Sequence, residues 1–277
     1  MEGSLLSKEL LGSLEINRIY QMDCLEGMKL LPDKSIDLTV TSPPYDNLRT
    51  YNGYTFKFEE IAKELYRVTK LGGVVVWIVA DATINGSETG TSFRQALYFK
   101  DVCGFNLHDT MIYLKENPTP LEHNRYQPCF EYMFVFSKGK PKTFNVIKVD
   151  AKLNSHGKKS AQRMPNGEIK TFSTERGRNT KKYKTNVWSY SVGFNQATKD
   201  KIAFQHPAIF PEKLAEDHIL SWSNEGDIVL DPFMGSGTTA KMAQINKRKY
   251  IGFEISPEYI QIANLRLESI NEDYPIK

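Results

Sequence analysis

The stretch Asp231-Pro232-Phe233-Met234-Gly235-Ser236-Gly237-Thr238-Thr239 follows the apolar run Ile228–Leu230, which reads as a strand, and runs into a helix expected over Thr238–Asn246. A second strand over Tyr250–Glu254 and a helix over Pro257–Ile270 come next. Glycines at 235 and 237 let the backbone turn tightly and approach a ligand with no Cβ in the way. No Gly-Lys-Ser/Thr follows, so the loop is not a P-loop. Nineteen residues beyond Gly235, at the end of the next strand, stands Glu254. An acid in that position of a doubly wound fold commonly hydrogen-bonds ribose hydroxyls. Loop and acid together point to an adenosine-type cofactor. The competing reading is a structural turn beside a solvent-facing glutamate.

Working outward, residues 15–137 alternate in the same way. Ile19–Met22 and Ile36–Val40 read as short strands, and Phe58–Thr69, with Ile61, Leu65 and Val68 on one face, as a helix closed by Gly72-Gly73. Val74–Ala80 follows as a buried strand and Ser92–Val102 as another helix. Two β-rich stretches then cover Asp109–Leu114 and Glu131–Ser137. A helix returns at Glu212–Ser223. Strands alternating with helices imply an α/β fold with a mostly parallel sheet covered on both faces. With 277 residues, 40% hydrophobic and 25% charged, the chain can bury a full core without staples.

Residues 138–204 break the alternation, being basic, poor in aliphatics and punctuated by glycine, proline and aromatics. Between Lys138 and Lys184 there are 14 Lys and Arg against 3 acids, so this segment carries +11 of a net +3 and leaves −8 on the remainder. Such a block beside a mildly acidic body reads as a polyanion contact rather than a merely solvated loop. The three cysteines, Cys24, Cys103 and Cys129, are too scattered for a disulfide framework or a zinc knuckle. No apolar run approaches the length of a membrane span, and no secretory signal is visible at Met1–Leu6. A reducing cytoplasm is the expected setting.

A second loop, Thr41-Ser42-Pro43-Pro44-Tyr45, comes directly after the strand Ile36–Val40. Two prolines fix φ and remove two backbone donors, leaving rigidly placed carbonyls. The Ser42 hydroxyl and the flat ring of Tyr45 lie next to them. Such a loop can accept hydrogen bonds from an amino group while the ring stacks on a planar base. A plain Pro-Pro turn is the bland alternative.

Together the two loops resemble those of S-adenosylmethionine-dependent DNA methyltransferases that act on amino groups. Asp231–Thr239 matches that family's methyl-donor loop and Ser42–Tyr45 its catalytic loop. The catalytic loop precedes the basic segment and the donor loop follows it, an order similar to the beta class. The resemblance spans about residues 15–270. It implies a Rossmann-like doubly wound sheet with one antiparallel hairpin strand and a circularly permuted motif order. The catalytic part is then 15–137, the target-recognition region 138–204, and the donor-binding part 205–277. It implies Ser42, Pro43, Pro44 and Tyr45 as catalytic residues. For the donor it implies Asp23, Cys24, Thr41, His206, Phe210, Pro211, Asp231, Pro232, Phe233, Gly235, Ser236, Gly237, Thr238 and Glu254. His206–Pro211 would lie near the donor's methionine part, and Asp23-Cys24 near its adenine.

The expected substrate is duplex DNA. Lys158, Lys159, Arg163, Arg176, Arg178, Lys181, Lys182 and Lys184 would grip phosphates, and Arg163, Asn166, Arg176, Arg178 and Asn179 are candidates for base reading. The target base must leave the stack to be reached. In the family, serine before Pro-Pro-Tyr usually goes with cytosine N4, and Asp or Asn with adenine N6, so cytosine N4 is favoured. No metal is expected. A cognate restriction endonuclease, a bacterial or phage origin, and a monomer or homodimer all fit. Methylation of RNA or of a protein glutamine, a DNA-binding protein with a vestigial site, and a nicotinamide oxidoreductase are the rival readings. Pro128-Cys129 superficially resembles the nucleophile of cytosine C5 methyltransferases, but it precedes an apolar β run and reads as a structural cysteine.

Overall fold

The structure, a computed structural model, describes residues 9–44, 56–118, 120, 124–151, 159–173 and 181–270. Its main sheet has eight strands, β1 (Arg18–Gln21), β2 (Ile36–Thr41), β3 (Thr69–Val79), β4 (Asn106–Lys115), β5 (Phe130–Ser137), β6 (Val187–Tyr190), β7 (Ile228–Asp231) and β8 (Lys249–Glu254). Across the sheet the order is β6-β4-β5-β3-β2-β7-β8-β1. Within it β5 alone opposes its neighbours, β3 and β4; the other pairings are parallel. The sheet is therefore mostly parallel and Rossmann-like, with a single antiparallel hairpin strand.

Strands buried on both faces need apolar side chains at odd and even positions alike, and β3 shows why. Val75, Trp77 and Val79 join a core with Met28 of α1 (Cys24–Lys29), Ile61 and Leu65 of α2 (Phe58–Val68) and Ala96 of α3 (Thr91–Leu97). The intervening Val74, Val76 and Ile78 are equally buried, on the opposite face. That face is covered by α4 (Glu212–Trp222), α5 (Thr238–Ile245) and α6 (Pro257–Glu268).

Two local readings are corrected. Gly72-Gly73 does not close α2. The helix stops at Val68, Thr69 is already extended with ψ 130°, and its hydroxyl donates back to the Leu65 carbonyl at 2.6 Å. Both glycines lie inside β3, where its register against β2 shifts between Ile36 and Leu38. A Cβ on Gly73 would fall 2.8 Å from Thr69 Cγ2 and 3.0 Å from the Asp37 carbonyl oxygen. The pair serves a bulge, not a cap. The helix expected over Ser92–Val102 is also divided, with α3 passing into a π-turn over Tyr98–Val102.

Val146–Thr185 is a compact unit separate from the one that carries the sheet, and it is narrower than the break in sequence pattern over 138–204. Asn145 already belongs to the sheet unit, its N–H donating to the Ser221 carbonyl at 2.8 Å. After the small unit, β6 buries Trp188 and Tyr190. Few aliphatics in 186–204 disguised an aromatic strand. Within the small unit, Lys148–Asp150 pairs with Lys181–Tyr183, and Lys159–Arg163 with Ile169–Ser173, as two antiparallel ribbons.

Candidate active site

In an open parallel sheet ligands bind beyond the carboxyl ends of the strands, and both informative loops leave from there. Pairing of Leu230 with Thr39 and of Asp231 with Gly252 sets the ends of β2, β7 and β8 side by side. A cavity of about 960 Å³ opens at this edge, within the sheet unit. Ser42, Pro43 and Pro44 line it from the end of β2, and Cys24 from the start of α1. Pro232, Phe233, Gly235, Ser236 and Thr238 line it from the loop after β7, and Glu254 from the end of β8. His206 and Phe210 come from the segment before α4.

The loop between β7 and α5 is held by its acids. Asp231 is buried and accepts from Thr41 Oγ1 at 2.6 Å and from the Phe233 N–H at 3.0 Å. Burial pushes its carboxyl up to about 6, against the opposing pull of the hydrogen bonds from Thr41, Thr239 and Phe233. Thr41 and Asp231 are thus not cavity walls; their bond ties the two loops together. Glu254 Oε2 accepts from Gly235 N–H at 2.8 Å, and Oε1 from Ile255 and Ser256 N–H, both at 2.9 Å. Burial raises this carboxyl above its usual range, while the three backbone donors pull it down. An ionised carboxylate offers about four acceptor sites, so three bonds leave room for one further donor from the cavity.

The two loop glycines do different work. Gly235 has φ +51°, and a Cβ there would lie 2.9 Å from His206 Nε2. His206 Nδ1 accepts from Ala208 N–H at 3.1 Å, and the ring meets Tyr259 edge-on at 4.3 Å between centroids. Gly235 therefore lets an imidazole seat against the loop. Gly237, expected to admit a ligand, is absent from the cavity wall. It caps α5 at φ +81°, and a Cβ there would lie 2.7 Å from Ala263 Cβ. Its bareness serves the packing of α6. Asp23 is likewise an N-cap, its Oδ1 accepting from Leu25 and Glu26 N–H at 2.8 and 3.4 Å. Neither Asp23 nor Pro211 lines the cavity, whereas Cys24 and Met22 do. Tyr45 lies outside the described residues.

Sequence reasoning missed the far half of the cavity. Tyr113 and Lys115 at the end of β4, Phe130, Glu131 and Tyr132 at the start of β5, and Asp81 after β3 all line it. Because β5 runs backwards, its beginning meets the ends of its neighbours. Lys115 Nζ and Glu131 Oε1 pair at 2.7 Å, and the Tyr132 and Phe134 rings stack at 5.2 Å. Cys129 does not line the cavity. Also unforeseen was a buried cluster behind the loop between β7 and α5. Arg266 contacts Asp200 and Glu212 at 2.8 and 2.7 Å, and Lys241 contacts the same two acids at 2.7 and 2.9 Å. The available signal was an arginine at helical spacing on the apolar face made by Ile262, Ala263 and Leu267.

In the small unit, Arg163, Lys181 and Lys182 are exposed and Lys184 is half-buried; Lys159 lies in a ribbon strand. Lys158, Arg176 and Arg178 fall outside the described residues. Among the described residues no group of three or more His, Cys, Asp or Glu is placed to hold a metal ion, and no helix is long and apolar enough to cross a membrane.

A family model described as DNA methylase matches residues 36–265. The chain belongs to the DNA methylase family. The orphan methyltransferase M.BamHII of Bacillus amyloliquefaciens is 62% identical over 244 residues, 86% of this methylase and 90% of that protein. The type II methyltransferase M.HpaI of Haemophilus parainfluenzae is 31% identical, over 91% and 74%. Among solved structures, the M1.HpyAVI–SAM complex matches with a TM-score of 0.61 at 26% identity, covering 90% of this methylase and 98% of that chain. The cytosine-N4-specific PvuII DNA methyltransferase matches in fold, with a TM-score of 0.65 at 23% identity over 92% and 90%.

Proposed function

We propose that this methylase transfers the methyl group of S-adenosylmethionine to the exocyclic N4 of a cytosine turned out of duplex DNA. The observation that carries the reading is one cavity walled by Ser42-Pro43-Pro44 on one strand end and by Gly235, Ser236, Thr238 and Glu254 from the two neighbouring ends. S-adenosylmethionine supplies a methyl on a positively charged sulfur. Its adenosine fits this chain's residues: Glu254 has acceptor capacity left for a ribose hydroxyl, Phe233 is an aromatic wall, and the bare Gly235 brings backbone to the cavity surface.

An exocyclic amine is a poor nucleophile because its lone pair is shared with the ring. The Ser42 hydroxyl and the Pro43 carbonyl accept its N–H protons and so favour a pyramidal nitrogen. As the N–C bond forms the methyl–sulfur bond breaks, leaving S-adenosylhomocysteine with a neutral sulfur, and the amine gives up one proton, which passes by way of these oxygens to solvent. Most of the remaining acceleration is orientation, since reacting atoms need near-contact placement of roughly 3 Å. Tyr113, Phe130 and Tyr132 line the cavity with aromatic surface for a planar base, and the sequence motif makes Tyr45 a further stacking candidate. Stacking on such rings offsets roughly 1–3 kcal/mol of the cost of removing a base from the duplex. The basic unit 146–185 grips the phosphates.

The test is methyl transfer to mixed unmethylated duplex DNA, followed by digestion to nucleosides and mass spectrometry. N4-methylcytosine is the expected product. N6-methyladenine would keep donor and mechanism but overturn the base, and transfer to RNA or protein alone would overturn the substrate. Whether a restriction endonuclease shares the recognition site is tested by looking for a matching cleavage activity in the source cell.

A further inference from the structure

The Arg266 side chain is fully buried, on the inner face of α6 and away from the cavity wall. Burying a guanidinium is costly unless it is paired and fully hydrogen-bonded, and an aliphatic residue would fill the same space at less expense. Each of its three nitrogens, however, has a partner. Nε and Nη2 reach Asp200 and Glu212 at 2.8 and 2.7 Å. Nη1 reaches the Ser236 carbonyl at 2.6 Å, and the Ser236 and Thr238 hydroxyl oxygens at 3.1 Å each. Ser236 and Thr238 are cavity walls. A hydroxyl that accepts from a guanidinium keeps its own proton for a third partner.

We propose that Arg266 is the positioning residue of the methyl-donor loop, fixing the Ser236 carbonyl and the Ser236 and Thr238 hydroxyls from behind. Asp200 and Glu212 neutralise the guanidinium and hold its plane, and Lys241 balances the second acid. Lysine at 266 keeps the charge but has no rigid fork, so it cannot serve both acids and the loop. This proposal rests on the reading of the loop as the S-adenosylmethionine site.

The experiment is titration calorimetry of S-adenosylmethionine into wild type, Arg266→Lys and Arg248→Lys, with thermal melts and turnover at saturating donor. Arg248 is the control, a second buried arginine that binds the Ser223 carbonyl at 2.7 Å and hydroxyl at 3.0 Å, far from the loop. In Arg266→Lys the donor Kd should rise ten-fold or more, with kcat at saturation within about three-fold. In Arg248→Lys, Tm should fall while Kd stays within two-fold. A Kd within two-fold in Arg266→Lys overturns the proposal, as does an equal rise in the control. If Arg266→Lys does not fold, Glu212→Gln, which slackens the guanidinium from outside the loop, should raise Kd three-fold or more, and a Kd within two-fold overturns it. Failure of wild type to bind the donor would instead refute the reading of the loop.

Discussion

Gly235 and Gly237 should fail in different ways when given a methyl group. In Gly235→Ala the new Cβ would lie 2.9 Å from His206 Nε2 and 3.2 Å from Cε1, with φ at +51°. The left-handed backbone costs about 1–2 kcal/mol for a residue with a Cβ. The imidazole must also retreat by a few tenths of an ångström, straining its bond to Ala208 N–H, worth about 1 kcal/mol. The sum, about 2–3 kcal/mol, corresponds to a fall in Tm of roughly 4–12 °C at ~2–4 °C per kcal/mol for a chain of this size. The displaced ring is itself a cavity wall, so donor Kd should rise about ten-fold. In Gly237→Ala the same backbone cost is joined by a clash with Ala263 Cβ at 2.7 Å and Cα at 3.0 Å. A helix backbone yields less than a ring, and overpacking of this kind costs about 1–3 kcal/mol. Stability should therefore fall at least as far, with donor Kd of the folded protein within about three-fold. The assay is calorimetric donor titration paired with thermal melts for both variants. Equal weakening at both positions, or none at 235, would refute this division of labour.

Ser42→Ala should leave donor Kd within two-fold and lower turnover by about 10²-fold, as expected for loss of a proton-accepting group; single-turnover methylation measures it. Tyr45→Ala should also spare donor binding while sharply lowering turnover, and unchanged turnover would remove its stacking role. Asp231 is held more readily protonated in the folded state than in the unfolded chain, so its contribution to stability is complete below about pH 4 and declines as pH rises to about 6. Urea melts of Asp231→Asn against wild type across pH 4–7 should show that decline in wild type only. Reversing Lys181, Lys182 and Lys184 to glutamate should weaken DNA binding and flatten its salt slope by about 0.9 for each phosphate no longer neutralised. An unaltered slope would place the phosphate grip elsewhere.

What can be read from the sequence is whatever one local stretch can announce. Pro43-Pro44 after an apolar strand, and Gly235 nineteen residues before Glu254, carry their meaning in spacing. Local reading goes astray where one residue type has two uses. Gly72-Gly73 reads as a helix end because glycine stops helices, yet it serves a bulge; Gly237 reads as room for a ligand's approach, yet it serves Ala263. The hidden features join distant positions. Thr41 and Asp231 are 190 residues apart, and Arg266 meets acids 66 and 54 residues away. The pattern along a chain records which face is apolar, but not which partner an isolated buried charge will find there.

The central pairing of β2 with β7 joins Leu38 to Val229 and Thr39 to Leu230. At a ribosome adding about 5–20 residues per second, the edge of β2 must wait some 10–40 seconds for its neighbour to emerge. All six residues of β2 are buried in the finished sheet, so a strand meant for the interior, with Ile36, Leu38 and Val40 among its side chains, waits with one edge unpaired, a template for misassembly. Neither half of this chain can complete its own sheet: a break in the basic unit would still need its two pieces to find each other before the eight strands could be assembled.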